Sequence, residues 1–265
     1  MGAERQLHDF TDDAALGGRL TLRQPARGHR FGHDAILLAA ATPAAAGEVA
    51  VDLGAGVGAA GLALARRVAG LTVHLVEIDP ELAALARHNA ERNGFAGRVA
   101  AHALDVAGPS ESFAAAGLAA GCADRVLMNP PFHAAGRTQE SPDARRRVAH
   151  VAPPGSLATW LGAAAHLLRP AGTLSVIYRT DGRDELLGAL APAFGAVAIL
   201  PVHPKPGAAA IRILVRAIKG SAAPESLLPG VLLNRDDGRP SAEAEAVLRE
   251  AAALPLADLP VDARK

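Results

Sequence analysis

The sequence predicts an α/β fold, a doubly wound and mostly parallel sheet with helices on both faces. Three observations predict it. Short apolar runs suited to strands alternate with Ala/Leu-rich helical stretches from residue 48 to about residue 193. The first run leads into a glycine-rich turn that opens a helix, Val49-Ala50-Val51-Asp52-Leu53-Gly54-Ala55-Gly56-Val57-Gly58. Later runs end in the polar residues Glu77, Asp105 and Asn129. In sheets of this kind ligands gather at the carboxyl ends of the strands.

Residues 19–24 alternate apolar and polar and read as one strand of an N-terminal hairpin; residues 34–42 read as a helix. Strand 48–53, helix 59–69, strand 72–77, helix 80–93, strand 98–104 and strand 124–128 follow. Residues 134–150 read as a mobile loop over the carboxyl edge. Helix 156–169 is stopped by Pro170-Ala171-Gly172, and strand 173–178 and helix 182–193 come next. Segments 196–202 and 210–217, joined by Pro204-Lys205-Pro206-Gly207, read as a closing antiparallel hairpin. Ser241 to Ala253 reads as a final helix. Three regions are expected: an extension at 1–45, a core domain at 46–220 and a tail at 221–265.

At 265 residues the chain suits one such domain with small attachments. Its formal net charge is zero, so no global field advertises a nucleic-acid partner. The lone Cys122 permits no internal disulfide and fits a reducing compartment, and Met1 to Asp13 is polar, unlike a signal peptide. The apolar stretch from Ala35 is cut by Pro43, Glu48 and Asp52, too soon to span a membrane. A cytoplasmic location is expected. The 24 arginines against 3 lysines read as coding bias before function. His29-x-x-x-His33 has ligand spacing, but Gly28 and Gly32 disfavour a helix there and no Cys or carboxylate pair completes a set, so no metal is expected.

The chemistry concentrates in Asn129-Pro130-Pro131-Phe132. An amino group on a flat ring is a poor nucleophile because its lone pair is delocalised. Acceptors that hold its N–H groups draw the nitrogen toward tetrahedral geometry. Asn129 offers a side-chain carbonyl and Pro130 a backbone carbonyl, and two prolines donate no N–H and stiffen the turn. Phe132 gives a flat face on which a base can stack. A plain strand-ending turn explains the same letters. Upstream, Gly56-x-Gly58-x-x-Gly61 matches a dinucleotide fingerprint by letter, but it would leave Gly54 inside the strand. Asp52 there would repel a pyrophosphate and welcome an amino group. Glu77 lies 23 residues after Gly54, near the spacing at which an acid accepts ribose hydroxyls. Asp79-Pro80-Glu81 is a helix cap and first turn. Asp105 stands where an adenine amino group is contacted, or is simply a solvated acid.

These elements together resemble the class I S-adenosylmethionine-dependent methyltransferases, over about residues 48–180. Leu16-Gly17-Gly18-Arg19, the stretch Gly28 to Leu38, Ser141-Pro142-Asp143, Ala149-His150 and Leu227-Leu228-Pro229-Gly230 narrow the resemblance to the bacterial tRNA(Val) adenine-N6-methyltransferase family. The resemblance implies a Rossmann-like, seven-stranded sheet and S-adenosyl-L-methionine as cofactor. It implies cofactor contacts at Gly32, Asp34, Asp52, Gly54, Gly56, Gly58, Glu77, Ile78, Asp105 and Asn129, and catalysis at Asn129, Pro130, Pro131 and Phe132. The expected substrate is an exocyclic amine of a nucleobase, adenine N6 in a tRNA anticodon loop first. Asn-Pro-Pro-Phe-His also occurs in ribosomal RNA guanine-N2-methyltransferases, and release-factor glutamine methyltransferases use a similar tetrapeptide.

An RNA partner needs cations. Residues 17–33 carry Arg19, Arg23, Arg27 and Arg30 with no acid, and residues 203–220 carry Lys205, Arg212, Arg216 and Lys219 with none. Arg137 and Arg145-Arg146-Arg147 follow the Asn-Pro-Pro-Phe turn. Single runs of this kind are usually solvated faces. Three of them, one beside the reacting turn, make a phosphate-binding surface, for which Arg19, Arg23, Arg27, Arg30, Arg137 and Lys205 are the candidates. The acidic tail at 221–265 is expected to stay off the RNA.

Overall fold

The computed structural model describes residues 9–28, 30–131 and 156–260. A hairpin of β1 (Phe10–Ala15) and β2 (Leu20–Pro25) precedes α1 (His33–Ala41). The core then alternates β3 (Val49–Leu53), α2 (Ala59–Arg67), β4 (Thr72–Glu77), α3 (Pro80–Arg92), β5 (Val99–Ala103), α4 (Ser110–Ala115) and β6 (Ala123–Met128). After it come α5 (Ser156–Leu167), β7 (Leu168–Arg179), α6 (Arg183–Leu190), β8 (Phe194–His203) and β9 (Arg212–Lys219). The tail holds β10 (Ser226–Leu227), β11 (Val231–Leu232), α7 (Ala242–Glu250) and α8 (Pro255–Asp258).

The main sheet runs β5-β4-β3-β6-β7-β9-β8, with β10 and β11 beside β8. Strands β3 to β7 are mutually parallel, and β9 runs antiparallel to both β7 and β8. These are the seven expected strands with their closing hairpin. The two-residue strands β10 and β11 extend the sheet because the tail returns along β8, parallel to it. The chain leaves β3 toward β4 on one side and later reaches β6 on the other, so a crevice opens at the carboxyl ends of β3 and β6.

Each face of the sheet buries its own apolar layer. One layer joins α1 and α2 to Leu20 and Leu22 of the hairpin and to Val247 and Leu256 of the tail. The other packs Phe113, Leu161 and Leu186 against Val51, Val126 and Val176. The hairpin and the tail therefore share a core with the central domain. The hairpin is also held by polar groups that the sequence did not reveal. On α3, Asn89 Oδ1 accepts from the Arg23 N–H (2.7 Å) while its Nδ2 donates to the Arg23 carbonyl (2.9 Å). One turn later Asn93 does the same with Thr21, at 3.0 and 2.9 Å. Two amides spaced by four residues thus mimic a strand along the outer edge of β2.

The boundary expectations fail at three places. Helix α5 stops at Leu167, and Pro170-Ala171-Gly172 lie inside β7 rather than before it. The strand absorbs them as an irregularity, with Ala171 at φ 59° and the register stepping from Ala123↔Leu168 to Arg125↔Thr173. Residues 180–182 form a 3-10 turn, so α6 begins at Arg183. The short α4, which follows Asp105, was not foreseen. The expected loop at 134–150 lies outside the described residues.

Helix α2 sits close on the sheet because Gly61 has no side chain. A Cβ there would strike Leu75 Cδ2 and lie 3.1 Å from Val73 Cγ1. Gly61→Ala should therefore lower stability by about 1–3 kcal/mol, the scale of overpacking a core. Gly162, on α5, would place a Cβ in open space among the described residues, and Gly162→Ala should raise stability by about 0.5–1 kcal/mol. Denaturant titration of both variants measures the contrast, and shifts of the same sign would contradict this packing.

Candidate active site

The turn leaving β3 is built from three left-handed glycines, Gly54 (φ 71°), Gly56 (φ 57°) and Gly58 (φ 88°). The Gly54 and Ala55 N–H groups both donate to the Val76 carbonyl at 2.9 Å, and the Gly58 N–H donates to the Ala55 carbonyl at 2.8 Å. The glycines divide their roles. A Cβ on Gly58 would lie 2.9 Å from Leu75 Cδ1, and one on Gly54 would strike the Trp160 ring. A Cβ on Gly56 would meet nothing within 4 Å among the described residues. A side chain is thus excluded at Gly54 and Gly58 by their neighbours, while Gly56 leaves bare backbone facing open space, as a cofactor cradle requires.

Glu77, at the end of β4, is 8% exposed. Its Oε2 accepts from the Gly56 N–H (2.8 Å) and its Oε1 from the Asp79 N–H (3.0 Å). Burial pushes its carboxyl above the usual range, against the backbone hydrogen bonds that lower it. Asp79 is the cap of α3, accepting from the Glu81 and Leu82 N–H groups at 2.8 and 3.3 Å with Pro80 as first helical residue. Between them Ile78 projects an exposed apolar side chain at the same edge. Asp105 is exposed, and its Oδ1 accepts from the Ala107 N–H at 2.8 Å. A cavity of about 220 Å³ between α4 and α5 begins one residue further on, at Val106.

Asp52 departs from the expected placement. It is 2% exposed, and its Oδ2 accepts from the Gly61 N–H at 2.8 Å, in the first turn of α2. A carboxylate is well placed against a helix N-terminus, so the side chain turns into the protein rather than out to a ligand's amino group. Burial pushes its carboxyl up to about 7, opposed by the Gly61 N–H and reinforced by the charge of Glu77.

Asn129 follows β6 at the carboxyl edge, with Pro130 buried and Pro131 half-buried behind it. Its Oδ1 is buried and has no hydrogen-bond partner among the described residues. Phe132, His133 and Arg137 lie outside the described residues. Gly32 caps α1 in an extended conformation, and Asp34 in its first turn accepts from Arg212 Nε at 2.9 Å. Arg212 pairs in register with Arg179 at the carboxyl end of β7. The N-terminus of α1 is thereby pinned to the edge that carries Asn129. Arg212 and Trp160 were missed as site residues; the adjacency of Trp160 to Gly54 has no signal in sequence spacing.

The basic segments are largely absorbed by the fold. Arg23 pairs with Asp12 across the hairpin at 3.0 Å, and Arg30, between β2 and α1, pairs with Asp13 of β1 at 2.8 Å. Arg19 donates to the Glu250 carbonyl at the end of α7. Arg216 donates to the Leu259 and Pro260 carbonyls, both at 2.6 Å, and Lys219 to the Leu168 carbonyl. The acids that neutralise the first segment stand on β1, outside the 17–33 window in which the charge run was read. Arg19, Arg27, Arg30 and Lys205 are exposed, and of these Arg19 and Arg30 carry the hydrogen bonds just given. Among the described residues no group of three or more His, Cys, Asp or Glu is arranged to hold a metal, and no helix is long and apolar enough to cross a membrane.

The raised carboxyl of Asp52 has a measurable sign. Its folded value of about 7 exceeds the ordinary 3.8, so the folded protein binds the extra proton between those limits. The associated stability is complete below pH 3.8 and is lost as pH rises through about 7. An asparagine side chain at this position would keep an acceptor for the Gly61 N–H without ionising. Asp52→Asn should therefore gain in unfolding midpoint over the parent as pH goes from about 5 to about 8, followed by calorimetry. A difference that does not change with pH would contradict this burial.

Comparison with known proteins agrees with the geometry. The sequence profile of the methyltransferase small domain matches residues 30–203. A tRNA1(Val) (adenine(37)-N6)-methyltransferase of Porphyromonas gingivalis is 33% identical over 162 residues, covering 59% of this chain and 61% of the relative. The chain thus spans about six-tenths of that relative's length. The protein of that name from Phocaeicola vulgatus is 27% identical over 70% of this chain and 75% of its own. A crystal structure of a predicted O-methyltransferase from Agrobacterium tumefaciens superposes with a TM-score of 0.70 at 29% identity, covering 83% of this chain and 98% of the other. An S-adenosylmethionine-dependent O-methyltransferase from Thermotoga maritima shares the fold, with a TM-score of 0.51 at 18% identity over 74% of this chain and 68% of the other. S-adenosylmethionine is the methyl donor that this fold and these relatives indicate. The chain belongs to the methyltransferase small domain family.

Proposed function

We propose that this protein is an S-adenosylmethionine-dependent N-methyltransferase acting on the exocyclic amine of a nucleobase, first of all adenine N6 in a tRNA anticodon loop. The observation that carries the reading is the buried Oδ1 of Asn129, unpartnered among the described residues. A buried acceptor left unmade costs about 1–3 kcal/mol, and an amine N–H is the donor that would complete it.

The residues present fit the donor. The bare backbone at Gly56, the carboxylate of Glu77 and the exposed Ile78 lie in sequence around one corner of the carboxyl edge. The Glu77 oxygens accept the Gly56 and Asp79 N–H groups and keep acceptor capacity for a ribose hydroxyl. When bound, S-adenosylmethionine supplies an electrophilic methyl group. The chain supplies placement. Asn129 Oδ1 takes one N–H of the acceptor amine, and the Pro130 carbonyl takes the other. Held by both, the nitrogen turns its lone pair out of conjugation with the ring. Phe132 is proposed to stack on the base.

The same geometry argues against an oxygen acceptor. A hydroxyl must lose its proton to become nucleophilic, and an amide oxygen cannot take it away. An amine needs no base beforehand, because its proton becomes acidic as the bond to carbon forms. The two relatives named for adenine methylation support RNA as substrate, and the exposed Arg27 and Lys205 are proposed to meet its phosphates. Arg19, Arg23 and Arg30 are better read as structural. A base must leave its stack to present its edge to Asn129, which favours a single-stranded loop.

Nucleoside mass spectrometry of tRNA and rRNA from a strain lacking the gene tests the substrate. Loss of N6-methyladenosine from tRNA is expected; loss of N2-methylguanosine from rRNA, or no change in either, would overturn the adenine assignment. Asn129→Ala should slow methyl transfer by about two to three orders of magnitude, with S-adenosylhomocysteine affinity changed by less than about threefold. Near-native turnover would make Asn129 part of an ordinary turn.

A further inference from the structure

The glycine turn is held from two directions. Gly54, Ala55 and Gly56 are tied to the end of β4 through the Val76 carbonyl and Glu77. Val57 is tied elsewhere: its carbonyl accepts from Asn89 Nδ2 on α3 at 3.0 Å. That same Nδ2 also donates to the Arg23 carbonyl, and Asn89 Oδ1 accepts from the Arg23 N–H. Asn89 is 0% exposed, and both of its amide hydrogens are used. One side-chain amide therefore joins three segments: α3, the edge of β2 and the turn.

Asn93 provides an internal comparison. It makes the matching pair of bonds to Thr21, but its remaining bond, at 2.7 Å, goes to the Asn89 carbonyl within its own helix. Asn93 holds the hairpin without touching the turn, whereas Asn89 holds both. The planarity of the amide makes this a coupling and not a coincidence of contacts. Rotating the group to follow a displaced β2 would break its bond to Val57, and moving Val57 would pull it off Arg23.

We propose that Asn89 is a positioning residue that makes the N-terminal hairpin part of the cofactor site. The docked hairpin fixes the plane of the Asn89 amide. The amide fixes the Val57 peptide, and with it the direction in which Gly56 presents its backbone to a ligand. Displacing the hairpin weakens cofactor binding, and cofactor binding tightens the hairpin by the same factor. The inference rests on the glycine turn being the cofactor's seat, and not on which amine is methylated.

The test is calorimetry with S-adenosylhomocysteine on the full chain, at a temperature where every variant is folded. Asn89→Ala should weaken binding about tenfold, within the usual range of site-to-site coupling, and should speed amide exchange at Gly56 to Gly58. Asn93→Ala leaves the Asn89 bonds to Arg23 and Val57 in place, so it should stay within about twofold of the parent even where its unfolding midpoint falls as far, which separates positioning from stability. If Asn89→Ala does not fold, Asn89→Ser retains a donor and should show a smaller loss of the same kind, about threefold. Equal losses in the Asn89 and Asn93 variants, or unchanged affinity on altering Asn89, would overturn the proposal. Gly56→Val tests the reading beneath it: retained affinity there would show that the turn is not the seat, whatever Asn89 does.

Discussion

Glu77 ends β4 with one carboxylate oxygen on the Gly56 N–H and the other on the Asp79 N–H, and the rest of the edge depends on that bridge. It ties the turn that leaves β3 to the start of α3, so two strand–helix units present their ends together. The parallel register, with Leu53 opposite Val76, brings the two ends level. A buried carboxylate is costly unless hydrogen-bonded, and here backbone donors offset burial. Asp52 lies behind the same turn and offsets its own burial with the Gly61 N–H. Glu77 thus holds the backbone of the cradle, and Asp52 the first turn of the helix that follows it. Burial pushes both carboxyls upward, against those backbone hydrogen bonds.

The acceptor side follows a different logic. Asn129 directly follows β6, which pairs with β3 and β7 in the middle of the sheet and carries it to the edge. Its Oδ1 stays without a partner among the described residues. Local instability of this kind is expected where binding supplies the missing partner. Nearby, α1 is fastened to the same edge by Asp34 and Arg212. The proposed division is simple: backbone and carboxylates hold the donor, and amide and carbonyl oxygens hold the acceptor.

The alternation of strands and helices was legible because each strand is an apolar run closed by a turn residue. The glycine turn and the Asp79 cap were legible for the same reason, since their hydrogen bonding is local. What was not legible depends on pairing across the chain. Charge runs look free in sequence, but Arg23 and Arg30 find Asp12 and Asp13 only once β1 lies against β2. Asp52 was read from its place at a strand end, yet the tight packing that Gly61 allows turns it toward α2. Asn89 interrupts the buried face of α3, a signal that a buried amide was needed, and Asn93 follows four residues later as its C-cap. Nothing in that spacing said which edge it would meet. Pro170-Ala171-Gly172 misled because these residues usually end elements, whereas β7 accommodates them as an irregularity.

The central proposal is that the Asn129 oxygen, unpartnered among the described residues, is held for the acceptor amine. The thermal unfolding midpoint of Asn129→Ala, measured without ligand, tests it most directly. Deleting an unpaired buried acceptor removes a cost and no bond, so the midpoint should equal or exceed that of the parent. A fall of about 4 °C or more, roughly 1–2 kcal/mol for a chain of this size, would mean that the oxygen is already bonded within the fold and would contradict the account.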